Sequence, residues 1–87
     1  MPREPRRKRQ APPSDLRMVF SANLLKAREA AGLTQRELSD LSGVSQKHIS
    51  QIELAGSNVT LDTLAELARH LKTTPADLLT PPRTGRR

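Results

Sequence analysis

The stretch QRELSDLSGVSQKHISQIEL, residues 35–54, decides how this chain is read. Leu38 and Leu41 stand three residues apart and predict the buried side of one helix; Ile49 and Ile52 predict the buried side of a second. Gly43 falls between them. A chain leaves a helix most easily through a left-handed residue without a β-carbon, so Gly43 predicts the break, with Val44 plugging the corner. Ser39 is small where the second helix must pass; a bulky side chain there would collide with it. The spacing predicts two short helices crossing steeply about a tight turn. The second helix is unusual for its polar residues. Around its isoleucines stand Gln46, Lys47, His48, Ser50 and Gln51, mostly uncharged and rich in hydrogen-bonding groups. A face that is only solvated more often shows Glu–Lys pairs.

Working outward, Thr34-Gln35-Arg36-Glu37 is a capping box at the start of the first of these two helices. Before it, Phe20, Leu24, Ala27, Arg28 and Ala31 share a helical face, with Leu16 one turn earlier. Ser14 or Asp15 is expected to cap that helix and Gly32 to end it. Ser45 caps the helix of the isoleucines, which should stop near Ala55-Gly56, and residues 57–59 form a loop. Thr60 caps a fourth helix with an apolar stripe of Leu61, Leu64, Leu67, Ala68 and Leu71. Thr74-Pro75-Ala76-Asp77 supplies a capping hydroxyl, a first-turn proline and an acid beside the positive helix end. Leu78 and Leu79 follow in a short fifth helix, stopped by Pro81-Pro82. Neither a hairpin signature nor a repeat interrupts this order, so the fold class is all-α: a compact five-helix bundle over residues 14–79.

The net charge of +6 over 87 residues invites a nucleic-acid reading, but its distribution qualifies it. Residues 1–13 carry +4 and residues 80–87 carry +3, leaving −1 for residues 14–79. The excess sits in two Pro- and Arg-rich tails, expected to be a disordered basic arm and a basic C-terminal tail. Both are solvated tails, or arms that add DNA contacts. With one Phe and no Trp or Tyr, the core must be aliphatic. There is no Cys, hence no disulfide and no Cys-based zinc site. No apolar run approaches the about 18 residues of a membrane span, and no secretory h-region is apparent. These features predict a cytoplasmic protein with no membrane partner; the Asn58-Val59-Thr60 sequon is accordingly set aside.

The elements GLTQRELSDLSGVS, ISQIELAG and TLDTLAELARHL, in this order and at these separations, resemble the Cro/phage-repressor (Xre-like) family of helix-turn-helix DNA-binding domains. The resemblance covers residues 18 to about 79. It implies a lambda-repressor-like bundle with the helix-turn-helix in helices 2 and 3, and a length similar to that of restriction-modification controller proteins and short phage or plasmid repressors. Ser39 departs from the Ala common in the family, yet is small enough to keep the crossing. His48 matches no fixed family role.

What the resemblance implies for function is specific. The third helix enters the major groove of a double-stranded DNA operator, so Gln46, Lys47, Ser50 and Gln51 become the base-reading candidates. Gln can pair with adenine through two hydrogen bonds, and Lys can reach guanine or a phosphate. Gln35 and Arg36, at a helix N-terminus that favours anions, are phosphate-binding candidates, together with Ser45, His48, Asn58 and Thr60. Ser45 also reads as a cap, and Asn58 also as a turn residue. The family joins the positions of Arg28 and Glu53 by a salt bridge. Family members commonly act as homodimers on two half-sites, and Val59, Leu78 and Leu79 are the interface candidates; Leu78 and Leu79 are adjacent, so one should pack inward.

No catalytic residues are identified. His48 and His70 lack Cys or an acidic ligand cluster, so no metal is expected. No Ser–His–Asp set or phosphate cradle is present, and the chain is short of a substrate pocket. The reading is a non-enzyme without cofactor or small-molecule ligand: a sequence-specific transcriptional regulator, a repressor or autoregulator of its own promoter. The alternative is an antitoxin-like or adaptor protein that uses the same fold mainly for protein contacts.

Overall fold

A computed structural model describes residues 13–54 and 57–81, with side chains from Leu16 onward. Five helices follow one another: α1 (Pro13–Ala30), α2 (Gln35–Ser42), α3 (Gln46–Glu53), α4 (Leu61–His70) and α5 (Pro75–Leu78). No strand occurs among the described residues. All of the expected arm at residues 1–13 except Pro13, which opens α1, all of the expected tail at residues 80–87 except Thr80 and Pro81, and the Ala55-Gly56 stop of the third helix lie outside them.

The predicted caps organise the bundle. Thr34 and Glu37 form the reciprocal box: the Glu37 amide donates to Thr34 Oγ1 at 3.0 Å, and the Thr34 amide to Glu37 Oε1 at 2.8 Å. Ser45, Thr60 and Thr74 each accept from the amide three residues on. Pro75 occupies the first turn of α5, where its missing N–H costs nothing. The start of α1 differs from expectation. The helix begins at Pro13, before Ser14 and Asp15, so neither of these precedes it as a cap; proline's fixed φ suits a first helical position. At the other end of α1 the Leu33 amide donates to the Arg28 carbonyl and the Gly32 amide to that of Glu29. With Gly32 at φ +73°, this is a Schellman closure.

The core is aliphatic, as the composition required: Phe20, Leu24, Leu38, Ile49, Ile52, Leu64, Leu67, Ala68, Leu71 and Leu78, with Ala27, Leu33, Val44, Val59 and Leu79 packed around it. Helix α3 packs on α1 and α2, while α5 packs between α1 and α4. Three leucines assigned to the buried stripes are instead largely exposed: Leu16 (51%), Leu41 (52%) and Leu61 (80%). Ala31 is exposed as well. Leu41 is in the last turn of α2, and Leu16 and Leu61 are in the first turns of α1 and α4. They have the right angular position but lie beyond the level at which a neighbouring helix covers them. Leu41 borders a shallow apolar groove with Ala27, Leu33 and Leu71; Leu16 and Leu61 border another with Phe20, Val59 and Leu79.

Gly43 closes α2 at φ +79°, its amide donating to the Ser39 carbonyl at 2.9 Å. A β-carbon added there meets nothing within 4 Å. The cost of Gly43→Ala is therefore that of the left-handed backbone alone, about 1 kcal/mol. The melting temperature should fall by roughly 4–8 °C. Lys72, at φ +57°, is the reverse case: a side chain stands where glycine is preferred after α4. Lys72→Gly should raise the melting temperature, because relief of the left-handed backbone outweighs the freedom that glycine gains in the unfolded chain. Calorimetry of both variants checks the opposite signs.

Candidate nucleic-acid interface

Helix α3 divides into two faces. Ile49 and Ile52 are 0% and 2% exposed, sealed against α1 and α2. On the outside, Gln46, Lys47 and Gln51 are exposed, while Ser50 and His48 are half-buried. Residues 46, 47, 50 and 51 fall together because positions four apart are neighbours on a helix. The Ser45 hydroxyl is committed to the helix, accepting from the His48 amide at 3.0 Å.

The far end of α3 is gripped through one residue. Arg28 Nε donates to Glu53 Oε2 at 2.7 Å and Arg28 Nη2 to Oε1 at 3.0 Å. The two side chains are 13% and 6% exposed. A third donor, Gln35 Nε2, reaches Glu53 Oε1 at 2.8 Å. The remaining guanidinium nitrogen of Arg28 donates to the Leu33 carbonyl at 2.8 Å. From α1, Ser21 Oγ donates to the Glu53 carbonyl at 2.6 Å. Glu53 thus receives four hydrogen bonds from α1 and α2, which fix the end of α3 on the body of the domain. The Arg28 pKa is pushed up, first by its hydrogen bonds to Glu53 and further by the charges of Glu53 and Glu29, against the opposing effect of burial. A folded-state pKa raised in this way contributes stability at every pH below the unfolded value, lost only as pH climbs through the folded one. The cation therefore persists throughout the ordinary working range.

Ser21 escaped the reading of the sequence. The available signal was a polar residue at helical spacing with Leu24 and Arg28, on the face that turned out to be buried. Gln35 also differs from expectation. Its side-chain amide, anticipated on a phosphate, is spent on Glu53; Oε1 and the backbone amide at the first position of α2 remain. Arg36, next to it, is exposed. The Thr60 hydroxyl is engaged as a cap, accepting from the Thr63 amide and bonded to Thr63 Oγ1, each at 3.0 Å. His48 Nε2 lies 3.1 Å from the carbonyl oxygen of Asn58, whose residue is exposed. Both segments flanking α3 are therefore hydrogen-bonded to it, one through Glu53 and one through His48.

Of the three interface candidates, Leu78 is 2% exposed and belongs to the core, with no surface left for a partner. Leu79, about 100° around the helix from it, is half-buried and lines the Leu16–Leu61 groove with Val59. Asn23 Nδ2 ties this end of the chain to α1, donating to the carbonyls of Leu78 at 3.0 Å and Thr80 at 2.8 Å. Among the described residues, no group of three His, Cys, Asp or Glu is placed to hold a metal, and no helix is long and apolar enough to cross a membrane.

A short helix sealed by two isoleucines, capped, turned at a left-handed glycine and bare on its polar side is the geometry of a helix-turn-helix reading head. The Helix-turn-helix family profile matches residues 24–78. This chain belongs to the helix-turn-helix family of DNA-binding transcriptional regulators. An uncharacterized helix-turn-helix-type transcriptional regulator of Sinorhizobium fredii is 39% identical over 67 residues, 77% of this chain and 87% of that protein. The control protein C.SmaI of Serratia marcescens is 35% identical over 66 residues, 76% of this chain and 79% of that protein. Among solved structures, the restriction-modification controller protein C.AhdI from Aeromonas hydrophila superposes with a TM-score of 0.68 at 32% identity, covering 71% of this chain and 94% of that one. The helix-turn-helix of this regulator is α2–Gly43–α3, and its five-helix architecture is the one expected from the spacing.

Proposed function

We propose that this regulator binds a two-fold DNA operator as a homodimer, inserting α3 of each copy into successive major grooves and repressing or tuning its own promoter. The observation that carries the reading is the division of α3: Ile49 and Ile52 sealed, Gln46, Lys47 and Gln51 bare. In this reading Gln46, Lys47, Ser50 and Gln51 meet base edges. Arg36, Asn58 and the amides at the start of α2 meet phosphates. Val59 and Leu79, with exposed Leu61, form the dimer face. The likeness to a control protein and to a restriction-modification controller protein supports a regulatory role. The reading needs no cofactor, catalytic group or small-molecule ligand, and places the protein in the cytoplasm with its DNA. The basic tails add contacts to phosphate irrespective of sequence.

Selection of bound DNA from a random duplex library tests it. The expected product is a two-fold site with half-sites about one helical turn, roughly 34–36 Å, apart. Failure to enrich any sequence would overturn sequence-specific reading. Sedimentation of the complex showing one copy per site would remove the homodimer. The exposed Leu41 groove, which the dimer face leaves open, favours a second reading, an antitoxin-like or adaptor role through protein contacts, which binding of the selected duplex by isolated protein would demote.

A further inference from the structure

His48 was expected on a phosphate, and its geometry gives it other work. Its Nε2 lies 3.1 Å from the Asn58 carbonyl oxygen. A carbonyl only accepts, so Nε2 carries the proton and donates it. The same oxygen also accepts from Ser57 Oγ at 3.1 Å. The base of the side chain is rigid: the His48 amide is held by Ser45 Oγ, and the next residue, Ile49, is completely buried. The carbonyl it holds belongs to a segment without regular structure, residues 57–60, just ahead of α4. Asn58 itself is exposed. A ring anchored on a helix thus fixes the backbone of an exposed loop, and a loop held in place loses less entropy on binding than one that must be ordered.

We propose that His48 is a positioning residue for DNA binding, donating Nε2–H to the Asn58 carbonyl so that the loop at residues 57–60 is set to present the Asn58 side chain to a phosphodiester when α3 lies in the groove. The inference rests on the DNA-reading role of α3 proposed above. His48 acts through Asn58 and makes no phosphate contact of its own. Because the loop contact would be to backbone, the effect extends to all sequences.

A double-mutant cycle tests the assignment, with affinity measured on the selected operator and on a pool of random duplexes. His48→Ala should weaken both by about five- to tenfold. Asn58→Ala should cost a similar factor, and the double variant should be no weaker than the worse single one. His48→Gln, whose Nε2 can take the same place, should restore most of the loss, and nitrogen NMR of the free protein should show Nε2 protonated. Multiplicative losses in the double variant would assign His48 its own phosphate contact and overturn the proposal. So would an unchanged His48→Ala affinity, absence of rescue by His48→Gln, or an unprotonated Nε2. Wild-type protein that binds neither DNA would instead defeat the DNA reading, while the NMR result would still report whether the hydrogen bond exists.

Discussion

Glu53→Ala should lower the melting temperature by well over ten degrees and leave a substantial fraction of the domain unfolded. The variant removes the acceptor for Arg28 Nε, Arg28 Nη2 and Gln35 Nε2 at once. It leaves a guanidinium only 13% exposed without its counter-charge. Breaking one side of a buried ion pair costs about 3–5 kcal/mol, because the remaining charge is stranded. A domain of this size holds a total of roughly 5 kcal/mol, so most of its stability is at stake. The contrast is Glu66→Ala. That carboxylate faces Arg69 at 3.6 Å, with the arginine 73% exposed, and such surface pairs contribute about 0–1 kcal/mol. Arg28→Lys should also fail to substitute, since an ammonium cannot make the paired contact with Glu53 while also reaching the Leu33 carbonyl. Replacing both Arg28 and Glu53 by Met should recover part of the loss, because no buried charge is then stranded. Urea and thermal denaturation of the four variants check the order. A Glu53→Ala melt matching that of Glu66→Ala would show that the pair does not hold α3.

Gln46→Ala should change which DNA is bound rather than whether DNA is bound. Gln46 is exposed at the first position of α3, so its truncation should alter stability by no more than about 0.5 kcal/mol. A lost two-bond contact with a base costs about 1–3 kcal/mol, or roughly 5- to 150-fold, on the selected operator. The side chain is uncharged, so affinity for random duplexes and the dependence on salt should remain near wild type. Removal of residues 1–12 should do the opposite: affinity falls on every sequence, and the salt dependence becomes shallower as cationic contacts are lost. Titrations at several salt concentrations, on operator and random duplexes, separate the two outcomes. Equal losses for Gln46→Ala on every sequence would remove it from base reading.

The difference between Ser45 and Ser21 shows how legible such a molecule is. Ser45 could be assigned as a cap because the group it satisfies, the His48 amide, is three residues away. The same locality made the Thr34–Glu37 box, the Gly43 turn and the Pro75 start readable. Ser21 bonds a carbonyl 32 residues away, and nothing near it in the chain announces that partner. Gln35 is intermediate: its place at a helix start was evident, but its commitment to Glu53, 18 residues on, was not. The Arg28–Glu53 pairing was suggested by family likeness rather than by spacing alone.

By itself, the sequence determined five helices, the caps of the last four, the glycine turn and the two isoleucines that must be hidden, because capping and periodicity act within a few residues. The tertiary structure decided which leucines are covered, choosing Leu78 over Leu79 and leaving Leu16, Leu41 and Leu61 outside. It also decided which polar side chains are spent on the fold and which still face outward. Periodicity specifies the direction in which a side chain points; only the assembled bundle specifies whether another helix stands there to meet it.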